Sequence, residues 1–79
     1  MSSQEADKRY EAVLKHYTRG VLGMSFFDDY GKASNWLIGQ WRELHVEDVN
    51  DRQINYAGAI YDNHDGHKRL FLLGAAYLV

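Results

Sequence analysis

The side chains best suited to chemistry fall in residues 62–67, which contain two histidines, two aspartates, one asparagine and one glycine. Imidazole and carboxylate groups bind divalent metals, and a turn can bring such groups together. Asp62, His64 and His67 are therefore a candidate metal site. The same residue types are frequent in exposed turns, however, and no further signal completes a ligand set. The plain turn is the preferred interpretation, and neither a metal nor another cofactor is predicted.

The rest of the chain contains no recognisable catalytic set. Asp28 and Asp29 are adjacent, and neighbouring residues of an extended segment point to opposite faces, so a turn and a helix cap explain them better than acid–base chemistry. Ser25 follows Gly23 but lacks the second glycine of a nucleophile elbow. The absence of cysteine removes thiolate chemistry. The protein is therefore predicted not to be an enzyme.

Basic side chains suggest a nucleic-acid-binding module as one alternative function. Such a module needs its cations to converge in a basic patch. Nine basic and eleven acidic residues give a net charge of −2, and the two signs alternate along the chain. Nucleic acid is therefore the disfavoured partner. The residues that would have to converge are Lys8, Arg9, Lys15, Arg19, Lys68 and Arg69.

Aromatic side chains suggest a protein partner. The chain contains two Trp, six Tyr and three Phe. Such residues fill small cores, and Trp and Tyr are also enriched at protein interfaces. Trp41 is assigned to the core, whereas the neighbouring Trp36 is the better partly exposed anchor. The predicted partner-binding residues are Trp36, Tyr30, Tyr61 and Tyr77.

One small domain, residues 1–79, must position all of these candidates, because 79 residues build a single core. An amphipathic helix is predicted over residues 2–19. Ser2 and Glu5 match a capping box, and Gly20 stands where helices commonly end. The apolar stripe of this helix has helical spacing and consists of Ala6, Tyr10, Val13, Leu14, Tyr17 and Val21.

Two further elements follow in the middle of the chain. Residues 21–27 are short and apolar with turn-rich flanks, which favours a strand. Ser34 is a candidate N-cap for a second helix that runs to about His45. The buried stripe of that helix is predicted to be Leu37, Ile38, Trp41 and Leu44.

The final third fits two architectures. Alternation from Gln53 to Ile60, the turn at residues 62–66 and the apolar run after it predict a β-hairpin. Asp51 as an N-cap, with Gly58 and Gly74 at close helix contacts, fits two helices almost as well. The preferred fold is α+β, with an N-terminal helix and a second helix packed on a short antiparallel sheet. The alternative is an all-α domain of four helices.

Residues 70–79 form an apolar run without a charge. The run is shorter than the ~20 residues of a membrane-spanning helix, so no membrane association is expected. A small chain has little material to cover such a segment, which predicts a homodimer through it. The N-terminus lacks the features of a secretory signal, and cytoplasmic localisation is expected.

A small protein-binding factor agrees best with these observations. It needs no cofactor and suits one domain rich in Trp and Tyr. The predicted role is a regulator or inhibitor of a larger protein complex. Inhibitors of nucleic-acid-processing machinery encoded by mobile elements share this size and composition, which extends the prediction by analogy. The remaining alternatives are the nucleic-acid-binding module and a metal-dependent protein built on His64 and His67.

Overall fold

Four antiparallel strands and two helices make up residues 8–44 and 49–79, the part of the chain that this computed structural model describes. Neither described helix is long and apolar enough to cross a membrane. The elements in chain order are β1 (Tyr10–His16), β2 (Gly20–Phe27), α1 (Tyr30–Arg42), α2 (Val49–Asn55), β3 (Tyr56–Asp62), β4 (Lys68–Gly74) and a 3₁₀ turn (Ala76–Leu78).

The strands form one sheet in the order β2-β1-β3-β4, so β1 and β3 are central and β2 and β4 are the edges. Every neighbouring pair is antiparallel. Side chains of a strand alternate between the two faces, and directly opposed residues share a face. The register therefore assigns each strand residue to one side of the sheet.

Helix α1 covers one face of the sheet. Leu37 of α1 packs with Ala12 of β1 and Ile60 of β3, and all three are completely buried. Toward the C-terminal end of α1, Trp41 contacts Leu14 and Tyr56. The predicted α+β class with an antiparallel sheet is confirmed, and the assignment of Trp41 to the core is correct.

The predicted helix over residues 2–19 is wrong over residues 10–16, which form β1. Its first residues, 2–7, lie outside the described part of the chain. Ala12 and Leu14 are buried under α1, and Val13, on the other face, is buried between the residues of β2 and β3 that lie beside it. Three consecutive buried residues imitate part of a helical stripe. Gly20, read as the end of a helix, has φ +76° at the turn into β2. Positive φ favours glycine in either setting, so this signal does not distinguish them.

The second helix exists but begins earlier than predicted. Its N-cap is Asp29, whose carboxylate accepts a hydrogen bond from the backbone N–H of Lys32 at 3.1 Å. Ser34 lies inside the helix. The interpretation of Asp28 and Asp29 as turn and cap residues is therefore correct for Asp29. The helix ends at Arg42, and the predicted end at His45 lies outside the described residues.

The final third contains both a short helix and a pair of strands. Residues up to Asn55 belong to α2, and the alternating segment becomes a strand only from Tyr56. Strands β3 and β4 pair antiparallel across the turn at residues 63–67, so the all-α alternative is wrong. On β4, Phe71 and Leu73 pack against the core under α1. That side of the C-terminal segment is covered by the chain itself.

Candidate interaction surface

The sheet face opposite α1 has an apolar centre formed by all four strands. Val13 lies between Met24 of β2 and Ala59 of β3, and Ala59 lies opposite Leu72 of β4. These residues alternate with Ala12, which faces α1. Helix α2 lies beside the end of α1, since Arg52 stands over the ring of Trp41. The open face is defined by Glu11, Val13, Met24, Phe26, Ala59, Tyr61 and Leu72.

Exposure on the open face increases from the centre toward the β2 edge. Val13 and Ala59 are buried, and Leu72 is half-buried. Met24 is 46% exposed although it is a large apolar residue in a regular strand. Lys15 on the same face stands opposite the exposed Val21. The accessible apolar area of this face therefore lies toward β2, around Met24, rather than at its buried centre, and Glu11 and Lys15 carry charges near the two ends of β1.

At one end of this face, the Glu11 carboxylate lies between two aromatic residues. The register places Phe26 and Tyr61 on either side of Glu11. The Glu11 side chain is only 17% exposed, and its oxygens lie 3.4 Å from His67 Nε2 and 3.4 Å from Asn63 Nδ2. Both distances are long for hydrogen bonds to a charged group. The carboxylate therefore retains capacity to accept a stronger bond from a cation.

The β3–β4 turn holds His67 in this position. Gly66 and His67 both have positive φ, at 64° and 58°. Positive φ is uncommon for a residue with a side chain. The His67 ring stacks on Tyr61 with centroids 4.2 Å apart, which supports the imidazole against Glu11. The turn thus closes one end of the open face.

The Asp62 carboxylate, one of the predicted metal ligands, is paired with Arg9. Arg9 donates from Nε and Nη2 to the two Asp62 oxygens at 2.9 and 2.7 Å, and the His64 backbone N–H donates to Asp62 at 3.0 Å. His67 faces Glu11 instead. Within residues 8–44 and 49–79, no three His, Cys, Asp or Glu side chains are grouped as metal ligands would be. In the described residues, therefore, Asp62, His64 and His67 do not form a three-ligand group.

The Arg9 guanidinium holds the pKa of Asp62 below its ordinary value of 3.8, mainly through the side-chain hydrogen bond. Asp62 is only 3% exposed. A carboxyl with a lowered folded-state pKa stabilises the fold above its unfolded-state pKa, and this stabilisation is lost as pH falls through the folded value. We therefore expect Asp62→Asn to lower the unfolding midpoint at neutral pH, with a difference from wild type that shrinks below pH 3.8.

Urea unfolding of both proteins across the acid range checks this expectation. The asparagine keeps the size of the side chain and an acceptor for the His64 N–H, so the comparison isolates the charge. A difference that stays constant down to the most acidic pH would contradict the assigned role of the Arg9–Asp62 pair.

The four predicted partner-binding aromatics do not share a surface. Trp36 packs on Phe27 at the core, with ring centroids 6.0 Å apart. Tyr30 contacts Tyr10 at 5.8 Å on the α1 side. Tyr77 is 67% exposed at the opposite end of the sheet, where its hydroxyl donates to the Ile54 carbonyl. Of the four, only Tyr61 lies on the open face.

The predicted basic residues separate into two groups at opposite ends of the sheet. Lys15 and Arg19 lie near the β1–β2 turn, where Arg19 donates to the Tyr56 hydroxyl at 3.1 Å. At the other end, Lys8 and Arg9 precede β1, and β4 begins with Lys68 and Arg69. Arg9 is already paired with Asp62. The six cations therefore do not form one stripe.

Sequence reasoning missed Glu11 and Met24 as residues of the open face, and it assigned Leu72 to a dimer contact of residues 70–79. Once residues 10–16 are treated as a strand, alternation places Glu11, Val13 and Lys15 on one side. That pattern was hidden by the helical spacing of the same stretch. The opposition of Glu11 and His67 depends on strand order, which no local signal specifies.

In comparisons with known proteins, no protein-family model matches this chain, and neither a curated protein nor a solved structure matches it. Functional arguments therefore rest on the geometry of the open face.

Proposed function

We propose that this chain is a non-enzymatic protein-binding factor that regulates or inhibits a larger protein complex in the cytoplasm. The open face is its contact surface. The observation that carries the proposal is the apolar surface formed by Met24, which is 46% exposed, and the half-buried Leu72 on the face opposite α1. Exposed apolar area rimmed by polar groups is characteristic of protein interaction sites.

The proposed partner presents an apolar surface with one basic side chain. The apolar part covers Met24, Leu72 and the ring of Tyr61. The basic side chain approaches Glu11, whose two contacts at 3.4 Å leave room for a stronger, charge-assisted bond. Aromatic neighbours favour a cation there as well, because ring faces attract positive charge.

Leu72→Gln tests the apolar part of this surface. The partner is first captured from a lysate of the source organism, identified, purified and titrated against the chain by calorimetry. We expect Leu72→Gln to weaken binding about tenfold, which corresponds to ~1.4 kcal/mol. The matched control is Ile54→Gln on α2, an exposed apolar residue away from the open face, for which we expect unchanged affinity.

Glu11→Gln tests the charged part in the same titration. It keeps the side-chain size but removes the charge, so we expect weaker binding and a reduced dependence of affinity on salt. Equal affinity of wild type, Leu72→Gln and Glu11→Gln would show that another surface binds the partner. Retention of nucleic acid alone, lost at moderate salt, would favour the nucleic-acid alternative.

A further inference from the structure

Strand β2 is an edge strand that contains neither a charged residue nor a proline. The outer backbone groups of an edge strand are available to pair with another strand, and natural edges are commonly blocked by charges or proline. Residues 20–27 contain neither. The other edge, β4, begins with two charged residues, Lys68 and Arg69. Of the two edges, β2 is the one open to pairing.

Exposed apolar side chains are concentrated on this edge. Eight large apolar residues are exposed in the described part of the chain, and three of them, Val21, Leu22 and Met24, belong to β2. Leu22 is the extra residue of a β-bulge between the Leu14 and Lys15 pairings. A bulge is one of the features by which edge strands resist pairing, but this one lies between Val21 and Gly23, and residues 23–27 pair with β1 in regular register. Pairing along β2 would cover area that water now contacts.

The ends of β2 carry opposite charges. Arg19 immediately precedes the strand, and Asp28 and Asp29 immediately follow it. An antiparallel pairing of two identical strands across a two-fold axis brings the start of each beside the end of the other. With the axis near Gly23 and Met24, Arg19 of each copy lies near the acidic pair of the other, and its bond to the neutral Tyr56 hydroxyl keeps its positive charge at this end of the strand. The edge is therefore complementary in charge to itself.

We propose that two copies of this chain associate through antiparallel pairing of their β2 strands, which forms one continuous eight-stranded sheet. We expect the pairing strand to be β2 of a second copy, because β2 has an uncharged centre and oppositely charged ends. In antiparallel orientation, this charge pattern is complementary to itself. This replaces the predicted dimer contact at residues 70–79 with the other edge of the sheet. The proposal is independent of the proposed function, since a monomer could also use the open face.

Leu22→Lys tests the proposal, because a lysine on an edge strand opposes pairing. Leu70→Lys is the matched control: Leu22 and Leu70 are 37% and 38% exposed, and each lies at a bulge of an edge strand. Analytical ultracentrifugation across the micromolar range should show a dimer for wild type and Leu70→Lys. Leu22→Lys should sediment as a monomer, and its circular dichroism spectrum should show that it is folded. A wild-type monomer throughout, or a dimer lost only in Leu70→Lys, would overturn the proposal.

A charge exchange tests the pairing direction without touching the strand. Asp28 is exposed and only 3.8 Å from Lys32 Nζ, a weak surface contact, so its replacement should not unfold the domain. Arg19→Asp and Asp28→Arg should each weaken the dimer about tenfold, and the double variant should restore it. Additive losses in the double variant would overturn the antiparallel arrangement. These outcomes leave the partner titrations above unaffected, so the two proposals fail separately.

Discussion

Gly74→Ala is expected to unfold most of the protein at room temperature. Gly74 has φ +75°, and a Cβ there would lie 2.2 Å from the Tyr56 carbonyl oxygen and 2.6 Å from the Trp41 ring. That oxygen already accepts a hydrogen bond from the Ala75 N–H at 3.0 Å, so the backbone has little freedom to move. Backbone strain and overpacking together cost about 2–5 kcal/mol. A domain of this size has only about 3–5 kcal/mol of stability.

Gly66→Ala is the control that separates strain from collision. Gly66 also has positive φ, at 64°, but no atom lies within 4 Å of the added methyl group. We expect it to lose only about 1–2 kcal/mol, the cost of the left-handed conformation. Chemical denaturation of both variants measures the difference. Equal losses would show that the close approach of Gly74 to Tyr56 is not a constraint on the fold.

Leu37→Ala is the second variant expected to approach the limit of stability. Leu37 is completely buried between α1 and the sheet, and truncation of such a leucine costs about 2–5 kcal/mol. Its side chain fills the space over Gly58, where a Cβ would lie 2.8 Å from Leu37 Cδ1. Leu37→Ala removes that conflict. Gly58→Ala should therefore destabilise wild type but be neutral or stabilising in the Leu37→Ala background.

A double-mutant cycle of unfolding free energies checks this coupling. Contacting residues typically show interaction energies of about 0.5–3 kcal/mol. Ile54→Ala on the exposed side of α2 is the control, with an expected change within about 0.5 kcal/mol. If the losses of unfolding free energy from Leu37→Ala and Gly58→Ala were strictly additive, Leu37 of α1 would not be in close contact with Gly58 of β3.

The elements predicted correctly have local signals that agree with their surroundings. The apolar stretch of β2 lies between turn residues, and the stripe of α1 has one buried side. β1 was misassigned because the burial of its residues depends on α1 over one face and on the neighbouring strands β2 and β3 beside it, which are distant in sequence. Helical spacing of Tyr10, Val13 and Leu14 was thus a coincidence of a central strand. Periodicity alone does not separate the two cases over a short stretch.

The open face could not be predicted from the sequence either, because it also depends on which strands pair. Tyr61 was identified by its type, but its neighbours Glu11 and His67 are far apart in the chain and meet only through the β1–β3 pairing. Tyr77, which was also predicted from its residue type, lies in the 3₁₀ turn after β4 and not on the open face. Residue type led to the prediction of a protein partner, whereas the residues that share the open face are defined by the order of the strands.

Methyl NMR of the chain titrated with its purified partner tests the central claim most directly. Val13, Met24 and Leu72 carry methyl groups on the open face, and Ala33 and Ile54 carry them elsewhere. The account predicts shift changes at the first three residues and none at Ala33 and Ile54. Changes at Ile54, with Met24 and Leu72 unchanged, would contradict the assignment of the open face as the contact surface.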